Sequence, residues 1–156
     1  GWGDMIKTVS FEKTTYNELP HKFEAGTPNI AGGIASGAVM DYLNELDWEA
    51  VRAHEKDLLE YATDQLRTIE GLRFIGEAKV KASVISFVVE GTHAYDIGVI
   101  MDKMGVAVRT GHHCTQPLME RFGILGTVRA SFAFYNTKAE IDAFIQALNR
   151  AIKMLK

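Results

Sequence analysis

The pattern of hydrophobic and polar positions along the chain changes near Leu72. Before this point, apolar residues recur at helical spacing in two consecutive segments. The spacing predicts a first helix over 29–46 and a second helix that Asp47 caps and that ends near Ile69, just before Gly71. Because the two helices are long for a small core, we interpret them as a connector between domains.

Beyond the connector, strands and helices alternate. The strongest strand signal is the β-branched and aromatic run 84–89. A short helix over 94–104 is predicted to end at Gly105, and a short strand is predicted to run from Gly105 to Arg109 and to break at Gly111. The chemistry discussed below follows that strand.

The end of the chain carries the clearest helix signal. Pro117 is predicted to start a short helical turn, and a further strand is predicted over 128–134. Thr137 and Glu140 have the spacing of a capping box. Behind this box, apolar residues form one face of an amphipathic helix, namely Ile141, Phe144, Ile145, Leu148, Ile152 and Leu155.

These elements predict an α+β fold, in which a small mixed or antiparallel sheet is covered by helices on one face and is preceded by a long helical connector. Residues 1–28 have no sustained helical period, and only 5–11 alternates like a strand. We therefore expect three segments: an extended lead-in over 1–28, connecting helices over 29–71, and a small α+β domain over 72–156 that carries the only cysteine.

Composition narrows the functional classes. The 156 residues include 17 basic and 20 acidic side chains, giving a net charge of −3 without a basic cluster, so nucleic acid is not an expected partner. No apolar run approaches the roughly twenty residues that cross a bilayer, so no membrane association is expected. One cysteine allows no internal disulfide, which fits a cytoplasmic location. Since the first residue is Gly1 rather than Met, we expect a piece of a longer protein.

Candidate chemistry converges on the R-T-G-H-H-C run at 109–114, which places a guanidinium and two imidazoles close to Cys114. Nearby cations lower the pKa of a thiol and so favour the nucleophilic thiolate. Two other interpretations stay open: Cys114 as a small buried hydrophobic residue, and a metal site with His112 and His113. The metal site is disfavoured because adjacent ligands cannot easily wrap one tetrahedral ion.

A second candidate site is the start of the first helix. Gly26, Thr27 and Pro28 lead directly into it. Backbone N–H groups and the helix dipole favour an anion such as phosphate at such a position. An ordinary loop with a helix N-cap explains the same residues.

Three stretches then occur together in one order: F-E-A-G-T-P-N at 23–29, R-T-G-H-H-C at 109–114 with P-L-M at 117–119, and R-A-S at 129–131 with Y-N-T at 135–137. This combination resembles the C-terminal part of SufS-type (group II) cysteine desulfurases, which are pyridoxal-phosphate (PLP) enzymes of fold type I, aminotransferase class V. The likeness covers nearly the whole chain.

The resemblance implies roles for individual residues. Cys114 would be the catalytic residue that takes sulfur from PLP-bound L-cysteine, releases alanine and holds the sulfur as a persulfide for iron–sulfur cluster assembly. Arg129 would bind the substrate carboxylate, and Thr27 would contact the cofactor phosphate across a dimer interface. Arg109, His112 and His113 would shape the loop and the environment of the thiol. An ordinary salt bridge of Arg109 and simple loop packing of the histidines remain the alternatives.

The resemblance also implies what the chain lacks. PLP enzymes hold their cofactor on a lysine. Lys22 follows a histidine, as the family's lysine does, but it comes after Pro20 with no strand before it. We therefore expect the cofactor lysine and the large PLP-binding domain to lie upstream of Gly1, and the chain alone to be inactive.

For the full-length protein the resemblance implies a homodimer, L-cysteine as substrate and a SufE- or SufU-like sulfur acceptor. No metal site is expected. Two alternatives remain: a selenocysteine lyase or another class V aminotransferase-like PLP enzyme, and a non-enzymatic α+β module in which Cys114 is structural.

Overall fold

A computed structural model describes residues 3–156, so the first two residues of the predicted lead-in lie outside the described part. The chain divides into two compact units, Gly1–Leu46 and Asp47–Lys156. None of the helices in the described range 3–156 is long and apolar enough to span a membrane.

The first unit begins with a two-stranded antiparallel hairpin of β1 (Ile6–Val9) and β2 (Thr14–Tyr16). A single 3-10 turn, His21–Phe23, follows. Then comes α1 (Ile30–Asn44), which Asn29 caps by accepting a hydrogen bond from the N–H of the third helical residue. The strand and the helix predicted for this part of the sequence are confirmed with shorter bounds.

Helix α1 contributes no buried residue. Most of its apolar side chains are exposed, and the large exposed ones are Ile30, Ile34, Val39, Met40 and Tyr42. The helix therefore contributes little to a core of the first unit.

The second unit is built on a four-stranded antiparallel sheet. Its strands are β3 (Leu72–Phe74), β4 (Val84–Val89), β5 (Arg109–Gly111) and β6 (Thr127–Ser131), in the order β3-β4-β6-β5. Every neighbouring pair is antiparallel. The α+β fold predicted from the sequence is confirmed, and its sheet is antiparallel rather than mixed.

Two of the four helices of the second unit start at the caps that the sequence predicts. They are α2 (Trp48–Arg67), α3 (Ala94–Lys103), α4 (Gln116–Phe122) and α5 (Lys138–Leu155). Asp47 caps α2 by accepting hydrogen bonds from two backbone N–H groups. Thr137 and Glu140 form the predicted capping box at the start of α5.

The core lies between one face of the sheet and these helices. Along β4 every second residue is buried, so Ile85 and Phe87 face the core while Ser86 faces away. Helices α2 and α5 supply most of the remaining core residues, which are Leu58, Ala62, Leu66, Ile141, Phe144, Ala147, Leu148 and Ala151. The amphipathic face predicted for the last helix is the one that packs here.

Helix α2 belongs to this core, since Leu58, Ala62 and Leu66 are fully buried in the second unit. The sequence grouped it with α1 as a connector over 29–71. By compactness, residues 47–156 form one unit. The three segments 1–28, 29–71 and 72–156 remain a prediction about domain boundaries.

One element differs clearly from its prediction. The strand expected from Gly105 to Arg109 instead begins at Arg109 and includes Gly111. Gly105 has a positive φ of 78° and ends α3, and the N–H of Val106 donates to the carbonyl of Met101 in that helix. The residues after Gly105 therefore close the helix, and pairing with β6 starts only later.

Candidate active site

Two arginines face each other on the side of the sheet turned away from the helices. Arg109 of β5 lies directly opposite Arg129 of β6, and Ser86 of β4 is the neighbour of Arg129 on its other side. Their neighbours in sequence, such as Val128, point into the core. Like charges at directly opposed positions destabilise an antiparallel pair. Within residues 3–156, neither arginine forms an ion pair with a carboxylate.

Arg129 also carries an unsatisfied donor. Its Nε atom is buried and is the only buried side-chain nitrogen or oxygen in the described part of the chain that lacks a hydrogen-bond partner. Leaving such a donor unpaired costs about 1–3 kcal/mol. A buried guanidinium donor beside a second arginine is suited to a carboxylate, which accepts two parallel hydrogen bonds from one guanidinium.

The loop after β5 folds back in a strained turn. His113 and Cys114 have φ angles of 52° and 60°, in the left-handed region that side chains other than glycine rarely occupy. The Cys114 N–H donates to Nδ1 of His112 at 3.0 Å, and the Thr115 N–H donates to the His112 carbonyl at 2.8 Å. These bonds hold the strained turn, and the first requires an unprotonated Nδ1 on His112.

His113 points back to the sheet. Its Nε2 lies 3.0 Å from Oγ1 of Thr127, the first residue of β6, which is almost completely buried. Burial lowers the pKa of His113, and the positive charge of Arg129 lowers it further, while a hydrogen bond with the Thr127 backbone acts in the opposite direction. The imidazole of His113 is therefore favoured in its neutral form, close to the substrate-binding candidate Arg129.

The thiol of Cys114 is exposed. The interpretation of this residue as a small buried hydrophobic side chain is therefore wrong for this structure. Among the residues described, the only cluster with the spacing of metal ligands is Asp4, His21 and Glu24 in the first unit. Neither His112 nor His113 belongs to it, so the metal interpretation of the cysteine loop gains no support.

The predicted site residues divide between the two units. The second unit brings together Arg109, Arg129 and the turn that carries Cys114, whereas Thr27 lies in the first unit. Thr27 is exposed in the segment just before α1. The capping bond of Asn29 shows that this segment is an ordinary N-cap as well, so the two interpretations of the helix start are compatible.

Comparison with known proteins identifies the family. The family model for aminotransferase class V matches residues 1–144. The chain belongs to the aminotransferase class V family. It is 50% identical over 155 residues to a Xylella fastidiosa protein named "Probable cysteine desulfurase". That match covers 99% of this chain and 37% of that protein. It is 48% identical over 148 residues to a cysteine desulfurase from Synechococcus elongatus, covering 95% of this chain and 24% of that protein.

Solved structures agree with this membership. The cysteine desulfurase CsdA from Escherichia coli, in an S-sulfonic acid form, superposes with a TM-score of 0.83 at 37% identity. That match covers 100% of this chain and 39% of CsdA. The apo cysteine desulfurase from Thermococcus onnurineus gives a TM-score of 0.80, also at 37% identity. The chain thus spans well under half the length of the class V relatives it matches.

Sequence reasoning missed two features of this class V site. Thr127 is a buried hydroxyl, yet the sequence signals only a β-branched residue at the start of a strand. Gly126 lies so close to β5 that a Cβ added to it would stand 2.7 Å from the carbonyl carbon of Gly111. The spacing of Thr127 two residues before Arg129, on the same face of β6, was the one available signal.

Proposed function

We propose that the chain is the C-terminal part of a SufS-type cysteine desulfurase that uses PLP. The full-length enzyme converts L-cysteine to L-alanine and keeps the sulfur on Cys114 as a persulfide for iron–sulfur cluster assembly. The observation that carries the proposal is the exposed Cys114, held in a left-handed turn that follows β5, where Arg109 directly opposes Arg129 and neither arginine forms an ion pair within residues 3–156. The names of the relatives support the same activity.

The substrate carboxylate binds at Arg129. This guanidinium has a buried donor without a partner, and Arg109 opposite it adds a second positive charge. A carboxylate satisfies the donor and neutralises the like-charge pair. Arg109 also keeps the side of the sheet next to the cysteine loop positive, which favours anions on approach.

The cofactor phosphate is contacted by Thr27. The fit rests on an exposed hydroxyl placed one turn ahead of a 15-residue helix, whose N-terminus favours negative charge. The cofactor supplies the electron sink that makes the substrate carbon–sulfur bond breakable. We assign its lysine to a part of the enzyme that this chain does not include. Lys22, the one lysine here that follows a histidine, is exposed in a 3-10 turn; the sequence predicted no strand before it, but β2 ends at Tyr16, so the assignment rests on the exposure of Lys22.

The sulfur transfer balances without another reactant. The Cys114 thiolate forms a bond to the substrate sulfur while the carbon–sulfur bond breaks. The electron pair of that bond stays on the substrate carbon, which takes up the proton released from the substrate thiol. Both sulfur atoms are oxidised to the disulfide level and the carbon is reduced to the methyl group of alanine. The enzyme retains a persulfide on Cys114.

The remaining features of the proposal concern the full-length enzyme. It acts as a homodimer in the cytoplasm and passes its persulfide sulfur to a SufE- or SufU-like protein. An exposed thiol on a short loop supports transfer to a docked acceptor, since the sulfur is reachable from solvent. His112 and His113 shape the loop through the hydrogen bonds described above.

Alanine release tests the activity. The full-length enzyme, purified with PLP, is incubated with L-cysteine, and alanine is quantified by chromatography. Cys114→Ser should retain bound cofactor but lose nearly all turnover, because a hydroxyl does not accept sulfur. Turnover on L-cysteine that survives in Cys114→Ser would place the enzyme among lyases or aminotransferases, which need no thiol.

A further inference from the structure

The hydroxyl of Thr127 occupies an unusual position. It belongs to the face of the sheet that carries Arg129 rather than to the core face, yet Thr127 is only 1% exposed. Within residues 3–156, its Oγ1 has one side-chain partner, Nε2 of His113 at 3.0 Å. A buried hydroxyl that meets a side chain 14 residues away ties two segments together.

The second segment is the turn that holds the nucleophile. His113 and Cys114 are consecutive left-handed residues, and each costs about 1–2 kcal/mol relative to ordinary backbone. The two hydrogen bonds that His112 accepts, from the Cys114 N–H and the Thr115 hydroxyl, act within the loop itself. The His113–Thr127 bond instead fixes the loop to the sheet, so it determines where the turn lies relative to β6.

We propose that Thr127 is a positioning residue, which holds the His113–Cys114 turn against β6 through its hydrogen bond to His113 and thereby places the thiol beside Arg129. The role rests on the proposed function, because the distance between the thiol and the arginine-bound substrate matters only if sulfur is transferred. Thr127 and Arg129 are two residues apart on one face of β6, so the anchor and the substrate arginine share a rigid strand.

The register of the sheet explains why the anchor is at this residue. Gly111, the last residue of β5, pairs directly with Thr127. The chain therefore leaves the sheet at Gly111. Only two residues later, the imidazole of His113 reaches back to Thr127, the residue that pairs with Gly111. Gly126 keeps β5 and β6 in close approach there, because its missing Cβ would collide with the Gly111 backbone.

The test uses Thr127→Val, which keeps the shape of the side chain and removes the hydroxyl, in the full-length PLP enzyme. We expect the rate of persulfide formation on Cys114 to fall on the order of tenfold, the cost of one lost hydrogen bond. The KM for L-cysteine should stay near its wild-type value, because Arg129 is untouched. Thr127→Ser restores the hydroxyl and should recover most of the rate.

Two controls separate positioning from general damage. Thr63→Val removes a hydroxyl that donates to the Leu59 carbonyl inside α2, far along the chain from the loop, and should leave the rate unchanged. In a His113→Leu background, Thr127→Val should have no additional effect, since the two side chains act as one unit.

A spectroscopic readout makes the inference independent of turnover. Thr127→Val removes the hydroxyl that lies 3.0 Å from Nε2 of His113, so the NMR signals of the His113 ring should shift relative to the wild type. Unchanged His113 ring signals and an unchanged persulfide rate in Thr127→Val would each overturn the role of Thr127 alone. A wild-type enzyme that forms no persulfide would overturn the proposed function, and this role with it.

Discussion

Cys114 illustrates how a single residue is prepared for chemistry by its backbone. Two successive residues in the left-handed region cost conformational free energy. They persist here because His112 accepts a hydrogen bond from the Cys114 N–H and His113 forms a hydrogen bond with Thr127. The thiol is consequently displayed to solvent on a turn that has little freedom to relax. Apart from Gly111, with a φ of 114°, no residue of β5 or β6 has a positive φ, so the strained backbone of side-chain-bearing residues is confined to the loop.

Arg129 gives the first prediction. Arg129→Lys keeps the positive charge but removes the planar fork that holds a carboxylate through two parallel bonds. We expect the KM for L-cysteine to rise on the order of tenfold or more in the full-length enzyme, with cofactor content unchanged. Steady-state kinetics measure the effect. The control is Arg67→Lys, at an exposed arginine of α2 that pairs with Asp64; an Arg129→Lys enzyme as efficient as this control would contradict the carboxylate role.

His113 gives a second prediction, about stability and pH. Burial and the charges of Arg129, Arg109 and His112 lower its pKa below the ordinary value of 6.5. As the pH falls through 6.5, the unfolded chain binds a proton at this position before the folded chain does, so the free energy of unfolding falls.

Urea unfolding of the chain at several pH values between about 5 and 7 measures this slope. In His113→Gln the slope should be smaller than in the wild type. His21, whose pKa Glu24 raises, contributes with the opposite sign to both proteins and cancels in the comparison. Equal slopes in the two proteins would show that His113 titrates alike in the folded and unfolded states.

The packing of α3 against β5 fixes the strand from which the cysteine loop starts. Helix α3 approaches β5 so closely that a Cβ added to Gly98 would lie 2.6 Å from Cγ2 of Thr110. Thr110 stands between Arg109 and the glycine at which the catalytic loop begins. The close contact thus joins α3 to the strand that leads directly into the Cys114 loop. It leaves no room for a methyl group at Gly98.

Gly98→Ala should therefore destabilise the chain. Overpacking costs about 1–3 kcal/mol, which exceeds the gain of up to about 1 kcal/mol from replacing a helical glycine by alanine. Urea unfolding measures the difference. Gly37→Ala in α1 is the matched control, because nothing lies within 4 Å of the Cβ it adds, and it should be neutral or stabilising. A stabilised Gly98→Ala would mean that Thr110 moves aside freely.

Elements with strong local signals were predictable from the sequence. Asp47 before α2 and the Thr137–Glu140 box before α5 fix helix starts through bonds between neighbours in the chain. The strand at Arg109 was misplaced because its start depends on where α3 finishes closing and where β6 offers partners. Such boundaries are set by hydrogen bonds between distant segments.

The candidate active site shows the same contrast between features with a local sequence signal and features set by contacts between distant segments. Cys114 and Arg129 were identifiable from the sequence by residue type and motif. The opposition of Arg109 to Arg129 and the bond from His113 to Thr127 follow from strand register, which places residues about 14 to 20 positions apart in contact. A single sequence carries no direct signal for register in strands this short, so these features required the structure.

The chain as a whole matches only part of its relatives, with 37% of the Xylella protein and 39% of CsdA covered. On the proposed function, the cofactor lysine lies in the remainder. We therefore expect this 156-residue chain, mixed with PLP and L-cysteine, to release no alanine above the background of free PLP. Chromatographic detection of alanine measures this, with the full-length enzyme as the positive control. Turnover by the chain alone, abolished by Cys114→Ser, would contradict the need for the missing part.

The most direct measurement is made on the full-length enzyme. After incubation with L-cysteine, the protein is alkylated and digested, and the peptide that contains Cys114 is weighed by mass spectrometry. The account predicts one additional sulfur atom on Cys114, formed together with alanine and absent when L-cysteine is omitted. Alanine without the added sulfur, or a Cys114 that carries no sulfur while the enzyme turns over, would contradict the claim that this thiol is the sulfur acceptor.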